Sequence, residues 1–304
     1  MKHKIKNIAI IGLGLIGGSL AKALKGKGYK IIGIDTNSST IKLALKEKAI
    51  NKGYTKLNSK SLENIDLIFI CTPLTLIKIY LTKISKLKLK NGVIITDVGS
   101  TKEQICKHAN KIFPLYPPLP LSPSPLFIGG HPMAGTEKSG FSSSDKKLFK
   151  TRAWILTPTN KNKQSIETLK IIIKKIGAKL IITTPKKHDE TAALISHLPL
   201  LASIGLCEIV KESNLRNFAS MTAGSGFRDS TRIAGGHSEM NSNLLNSNYS
   251  VLKKLLPLYI KELNSILKTA KTKSKSLDKK LNIVNQWRSR LYNSRGENNL
   301  LKTQ

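Results

Sequence analysis

The sequence predicts an α/β chain, with a doubly wound parallel sheet in the N-terminal part followed by an all-helical region. Three observations carry this. Short Ile- and Val-rich runs alternate with helical patterns over residues 5–182, as parallel βαβ units require. A glycine-rich turn at residues 12–19 joins the first strand to the first helix. From about Pro185 the alternation stops and only helical patterns remain.

Each element follows from its residues. Residues 5–11 are Ile-rich and alternate little, which suits a strand buried on both faces. Gly12-Leu13-Gly14-Leu15-Ile16-Gly17-Gly18-Ser19 then turns into a helix running to about Lys25. Residues 30–35 read as the second strand and 39–48 as a helix. Residues 67–71 read as a third strand, ended by Thr72-Pro73. A helix over 74–87 and a strand over 93–97 follow. Strands over 154–156 and 179–182 flank a helix at 164–176, with Gly177 as its stop. Beyond Pro185 the long helical runs are 190–211 and 249–271. The domain boundary is therefore expected near 185, giving a sheet domain over 1–185 and a helical domain over 186–304. Residues 114–125 hold six of the twelve prolines and cannot be helix interior or central strand. They read as a surface insertion loop, with a proline-rich ligand for another protein as the alternative. Residues 268–280 read as a solvated helix end or linker, and 293–304 as a polar, frayed tail.

Composition narrows the classes. Forty per cent hydrophobic residues supports real cores. Cys71, Cys106 and Cys207 show no metal or disulfide spacing, which suits a reducing compartment. No secretory segment opens the chain and no apolar run looks long enough to span a bilayer, so a soluble, cytoplasmic protein without a membrane partner is expected. The net charge of +33 suggests a polyanion partner. Against that, the basic residues are mostly Lys, spread along the chain among many Asn and Ile, all served by A/T-rich codons. Nucleic-acid surfaces cluster Arg and aromatics, and aromatics make up only 5% here. Genome bias is the preferred reading. A basic nucleic-acid-binding protein with a relict nucleotide fold is the rival, and it predicts retention on DNA or RNA that falls steeply with salt.

The glycine turn has the spacing and context of a dinucleotide fingerprint: it follows a strand, opens a helix, and is trailed by an acidic residue at the end of the next strand. Gly12 permits the tight turn, Gly14 leaves room for a pyrophosphate, and Gly17 lets helix and strand pack closely. The N–H groups at Leu15 and Ile16 open the helix, where its dipole favours an anion. Asp35 would accept bonds from ribose hydroxyls and repel a 2′-phosphate, which favours NAD. Ser38, Ser39 and Lys42 leave NADP open. Thr72 and Pro73 end a neighbouring strand and join the cofactor-binding set.

In the segment 128–140, His131 lies between glycine pairs and reads as a polar turn whose backbone a ligand approaches closely. Its tunable pKa makes it the candidate acid/base. Ser100, just past the strand at 93–97, is a candidate to orient a substrate hydroxyl. It also reads as a helix N-cap, with Glu103 completing a capping box. His197 sits in an apolar helix and alone reads as a core histidine. Arg228 and Arg232 share a helical face, with Asp229 beside them, as a carboxylate grip or a surface ion pair.

Together these residues resemble the prephenate/arogenate dehydrogenase family of tyrosine biosynthesis. The matching segments are 12–19, 97–102, 130–140, 196–199 and 226–234, in the family's order over nearly the whole chain. Gly-His-Pro-Met-Ala-Gly-Thr and Gly-Phe-Arg-Asp-Ser-Thr-Arg-Ile are specific to that family, whereas the fingerprint is general. The resemblance implies a Rossmann-type domain, a helical domain that forms a homodimer, and NAD(P)-dependent oxidative decarboxylation of a cyclohexadienol without a metal. It implies that His131 takes the ring hydroxyl's proton and that Ser100 orients the hydroxyl. Arg232 would bind a substrate carboxylate, and Thr136 and His197 would line the pocket. Glu137, Asp229 and Arg232 would form an ionic gate. Relatives that use prephenate carry a second histidine three residues after the position of His197. Leu200 stands there in this chain, which leans the reading toward arogenate. A hydroxyacid or imine dehydrogenase is the same-architecture rival, and it resembles the first hundred residues only.

Overall fold

The computed structural model describes residues 5–113, 125–136, 138–159, 162–271 and 275–292. The proline loop apart from Pro125, Glu137 and the tail at 293–304 lie outside the described residues. Eight strands form one sheet: β1 (Asn7–Ile11), β2 (Lys30–Ile34), β3 (Lys52–Tyr54), β4 (Leu67–Ile70), β5 (Ile94–Asp97), β6 (Leu126–Pro132), β7 (Ala153–Pro158) and β8 (Lys179–Ile182). Their order is β3-β2-β1-β4-β5-β6-β7-β8. Neighbours are parallel except β6 and β7, which are antiparallel. The wholly parallel sheet expected from the sequence is thus broken once. Among the described residues only a 3-10 turn (Phe141–Ser143) lies between β6 and β7, with no crossover helix, and the strand returns in the opposite sense.

Helices α1 (Leu15–Leu24), α2 (Ser38–Lys46), α3 (Leu74–Ser85), α4 (Glu103–Ile112) and α5 (Lys163–Lys175) cover the sheet. Side chains alternate between its two faces. Ile8, Ile10, Phe69, Ile128 and Trp154 pack with Leu20, Ile41 and Leu169 of α1, α2 and α5. Ala9, Ile11, Ile70, Ile95 and Phe127 pack with Ile77, Leu81 and Ile105 of α3 and α4. Two buried faces explain the continuous apolar runs of β1 and β4, and each buried Ile or Leu contributes about 1.5–3 kcal/mol. Strands β3 and β6 were absent from the sequence expectation. β3 is three residues long and lies at the sheet edge. β6 holds Gly129 and Gly130, which look like turn residues and instead serve sheet packing.

Beyond β8 the chain is helical: α6 (Pro185–Ala192), a π-helical turn (Ala193–His197), α7 (Leu198–Glu212), α8 (Arg216–Thr222), α9 (Ser225–Thr231), a 3-10 turn (Arg232–Gly235), α10 (Ser238–Ser247), α11 (Tyr249–Lys271) and α12 (Lys275–Tyr292). Strand and helix cease to alternate at Pro185, whereas compactness divides the chain into 1–249 and 250–304. The helices after Pro185 stay in the first unit because their buried polar groups bond back toward the sheet, as described below. The expectation of no spanning-length apolar segment is corrected. Pro185–Glu212 forms one 28-residue helix, long and apolar enough to cross a membrane by length and composition. Its length is masked in the sequence because Lys186, Lys187, His188, Asp189 and Glu190 crowd its first turns and His197 interrupts the apolar part.

Candidate active site

Four adjacent strands, β1, β4, β5 and β6, run in the same direction, so their carboxyl ends lie along one edge of the sheet. The strand order reverses between β1 and β4, the crevice where open α/β sheets take ligands. The fingerprint occupies the end of β1. Gly12 has φ +88°, and a Cβ there would come within 2.7 Å of the Cys71 carbonyl oxygen. A Cβ on Gly17 would lie 1.9 Å from the Gly12 carbonyl oxygen. A Cβ on Gly14 would meet nothing within 4 Å, so this residue keeps open space clear in front of α1. Gly14 is the N-cap of α1 and supplies no side-chain bond, leaving the helix N–H groups beginning at Leu15 and Ile16 to an outside anion.

Asp35 follows β2. Its Oδ2 accepts from Leu13 N at 2.8 Å and its Oδ1 from Asn37 N at 2.9 Å, which ties it to the fingerprint turn. Thr72 follows β4, and its hydroxyl is shielded with no hydrogen-bond partner among the described residues. Pro73 caps α3 and is exposed. An open space before uncapped helix N–H groups, an aspartate held at its rim and an unpartnered hydroxyl fit a dinucleotide.

The second cluster is built on β6. Here the sequence reading of the glycines is corrected. Gly129 and Gly130 lie inside the strand, and their missing side chains make room for protein. A Cβ on Gly129 would sit 2.4 Å from Thr157 Oγ1 and 3.2 Å from Lys102 Cδ. One on Gly130 would sit 2.6 Å from the Asp97 carbonyl oxygen. Lys102 is fully buried, and its ammonium is paired with the equally buried Asp97. It also donates to the Gly130 carbonyl at 2.9 Å, while Gly130 N donates to Asp97 Oδ1 at 3.1 Å. This pair grips both sides of the residue preceding His131.

His131 is partly exposed, and its Nδ1 lies 2.9 Å from Nε2 of the buried His188 on α6. His188 Nδ1 lies 2.7 Å from Asp189 Oδ1. The Asp189 carboxylate also accepts from Lys102 N at 2.7 Å and Glu103 N at 2.9 Å, so it caps α4 from outside. The expected Ser100–Glu103 capping box is therefore absent: α4 begins at Glu103, and its N-terminal donors go to Asp189. Desolvation by burial, reinforced by the charges of His188, Lys102 and His197, holds the His131 pKa well below its ordinary 6.5.

His197 closes the π-helical turn and is buried, with Nδ1 at 3.1 Å from Asn248 Nδ2. Asn248 Nδ2 also donates to the Asp189 backbone carbonyl at 2.8 Å. Burial lowers the His197 pKa to about 4, opposed by Asp189 and aided by His188. Leu200, three residues on, is also buried.

Ser100 lies just past β5, half-buried, with no protein hydrogen-bond partner for its hydroxyl among the described residues. Thr136 is exposed and its hydroxyl accepts from Lys138 N at 3.2 Å. Of the expected ionic gate, Glu137 lies outside the described residues, and Asp229 and Arg232 form no ion pair with each other. α9 ends at Thr231, so Arg232 opens a 3-10 turn, and Asp229 pairs instead with exposed Arg228 at 3.1 Å. Arg232 is exposed, and its turn is tied to α7 by Ala234 N donating to Ser203 Oγ at 3.2 Å. Among the described residues no group of three or more His, Cys, Asp or Glu could hold a metal ion. Sequence reasoning gave no role to Asp97, Lys102, His188, Asp189 or Asn248. A usable signal was the charged Lys-Lys-His-Asp at residues 186–189, opening an otherwise apolar helix.

A sequence model for the prephenate dehydrogenase nucleotide-binding domain matches residues 20–182, and one for the prephenate dehydrogenase dimerization domain matches residues 184–283. The chain is 34% identical over 270 residues to the prephenate dehydrogenase of Bacillus subtilis (strain 168), covering 88% of this chain and 70% of that one. The arogenate dehydrogenase of Synechocystis superposes with a TM-score of 0.82 at 30% identity, covering 93% of this chain and 99% of that one. The prephenate dehydrogenase from A. aeolicus, solved in complex with hydroxyphenyl propionate and NAD+, superposes with a TM-score of 0.84 at 28% identity, covering 96% and 100%.

Proposed function

The chain belongs to the prephenate dehydrogenase family, and from that premise we propose that it oxidatively decarboxylates arogenate, as an NAD-preferring homodimer of the cytoplasm. The carrying observation is the shared edge of β1, β4, β5 and β6, along which a dinucleotide cradle and an acid/base histidine both open. A bound nicotinamide supplies the hydride acceptor. His131 takes the ring hydroxyl's proton at Nε2, since Nδ1 is engaged by His188. Ser100, with its hydroxyl unspent on the protein, orients that ring hydroxyl. The ring carboxylate leaves as CO2, its bonding electrons enter the ring, and aromaticity drives the step without a metal. Arg232, exposed and unpaired among the described residues, binds a substrate carboxylate. Thr136 and His197 border the substrate, and Glu137, Asp229 and Arg232 form an ionic gate over it.

The arogenate preference rests on Leu200, which offers no histidine to a keto acid. Prephenate is the second reading, favoured by the name of the Bacillus subtilis relative. The NAD preference rests on Asp35. The homodimer is supported by the dimerization-domain match and by the exposed Leu194 and Ile195 of the π-helical turn, Ile209 of α7, and Phe218 and Met221 of α8. The same face accounts for the apolar character of the helix at 185–212, whose His188, Asp189, His197 and Ser203 are buried and hydrogen-bonded within the protein. The test is steady-state reduction of NAD and of NADP by the purified protein, with arogenate and prephenate in separate reactions. Turnover with arogenate and NAD is expected. Turnover with prephenate alone overturns the substrate preference, and turnover with neither overturns the function.

A further inference from the structure

The reaction proposed above needs a histidine whose substrate-facing nitrogen is bare, and two residues without an assigned role meet that need. The Asp189 carboxylate has three donors around it, the Lys102 and Glu103 N–H groups and His188 Nδ1. A carboxylate gives no hydrogen, so His188 carries its hydrogen on Nδ1. A neutral imidazole has one N–H, which leaves His188 Nε2 as an acceptor. Its partner at 2.9 Å is His131 Nδ1, which must then be the donor.

We infer that His188 and Asp189 are positioning residues that hold His131 in the tautomer with Nδ1 protonated and Nε2 bare, the form that accepts the substrate's hydroxyl proton. Both are buried, and neither belongs to the segments in which the family resemblance was read. Asp189 is itself immobilised from two sides, by the N-terminus of α4 on its carboxylate and by Asn248 on its backbone carbonyl. When His131 takes the proton at Nε2, it keeps the Nδ1 hydrogen toward His188, and the negative charge of Asp189 lies beyond that ring. Lys102 and His197, the other titratable neighbours, oppose positive charge on His131, and the Lys102 charge is paired with Asp97. The proton thus moves from the substrate oxygen to one nitrogen, and no further reactant is required.

The inference rests on the proposed function, so its test has an arm independent of turnover. In protein labelled with 15N-histidine, the His131 signals are those that vanish in His131→Asn. The expected result is His131 with hydrogen on Nδ1 and an unprotonated Nε2. Hydrogen on Nε2 overturns the inference, whether or not the protein turns over either substrate. His188→Gln retains an acceptor toward His131 and a donor toward Asp189, whereas His188→Leu has neither. His188→Leu is expected to lose the tautomer and to lower kcat about 100-fold, with substrate KM and NAD affinity changed less than about threefold. His188→Gln is expected to keep the tautomer and recover to within about tenfold of the parent. A kcat for His188→Leu within about threefold of the parent, or a folded His188→Gln as impaired as a folded His188→Leu, overturns the positioning role. Should His188→Leu not fold, the parent's tautomer and the His188→Gln rate decide. A parent that turns over neither substrate yet shows the expected tautomer overturns the function and leaves the positioning intact.

Discussion

The nucleotide end and the histidine end of this sheet edge are built by opposite means. At the nucleotide end the backbone does the work and side chains are kept away: Gly12 and Gly17 leave no room for a Cβ, and Gly14 clears the space ahead of the helix. Asp35 reaches back only 22 residues to the turn it fixes. At the histidine end the work is done by side chains, and they are drawn from afar. His131 meets His188 across 57 residues, and Asp189 meets Lys102 across 87. The difference teaches that a site made of backbone is written locally, whereas a site made of buried polar contacts exists only once the chain has folded.

The contrast is broken most directly at His131. His131→Asn is expected to lower kcat about 10³–10⁴-fold, equivalent to about 4–5.5 kcal/mol of barrier, while NAD binds as before. Steady-state rates and a cofactor titration check it. Loss of NAD affinity in this variant would mean that the two ends are one cooperative unit.

Lys102→Met tests the same end through stability. Removing the ammonium leaves the buried Asp97 carboxylate with only the Gly99 and Gly130 N–H groups. The expected cost is about 3–5 kcal/mol in urea unfolding, because an uncompensated buried charge remains. A cost below about 1 kcal/mol would show that the grip on Gly130 is dispensable.

This asymmetry explains what could be read from the residues alone. The β1-turn-α1 unit, the alternating layers and the nucleotide role of the turn were legible because each depends on neighbours within a few residues. His131 was legible as a candidate through its motif, yet its setting was misread: Gly129 and Gly130 resemble turn residues, and only the packing of Lys102, Thr157 and Asp97 against them explains them as strand. The cap on α4 was misassigned for a similar reason. Ser100 and Glu103 fit a local pattern, but Asp189 satisfies those N–H groups from a distant helix. The shared face of Arg228 and Arg232 was drawn on an ideal helix, and the chain leaves helical geometry at Arg232.

Acid separates the two ends next. His197 titrates near 4 in the fold against an ordinary value of 6.5, and His131 is displaced in the same direction. Between these values the unfolded chain takes up protons that the folded chain refuses, so stability is full above about pH 6.5 and falls as the pH drops toward 4. His197 accounts for up to about 3 kcal/mol of that loss. Urea unfolding at pH 7 and pH 4.5 measures it, and His197→Gln should flatten the dependence. An unchanged unfolding free energy over this range would mean that neither histidine is held neutral by the fold.

The smallest effect is expected where the backbone carries the function. Asp35→Ser removes the carboxylate that accepts from Leu13 N and Asn37 N, but a serine hydroxyl still accepts one hydrogen bond and the three glycines keep the turn. Stability should change by no more than about 1 kcal/mol. The discrimination between NAD and NADP should fall by about tenfold, because the negative charge that would repel a 2′-phosphate is gone and the lysine-rich surface attracts it. The ratio of kcat/KM for the two cofactors is the measurement. If that ratio is unchanged, the ribose is read by Ser38, Ser39 or Lys42, and side chains share the nucleotide end with the backbone. If instead the variant loses both cofactors together, Asp35 holds the turn itself, and the nucleotide end depends on a buried polar contact just as the histidine end does.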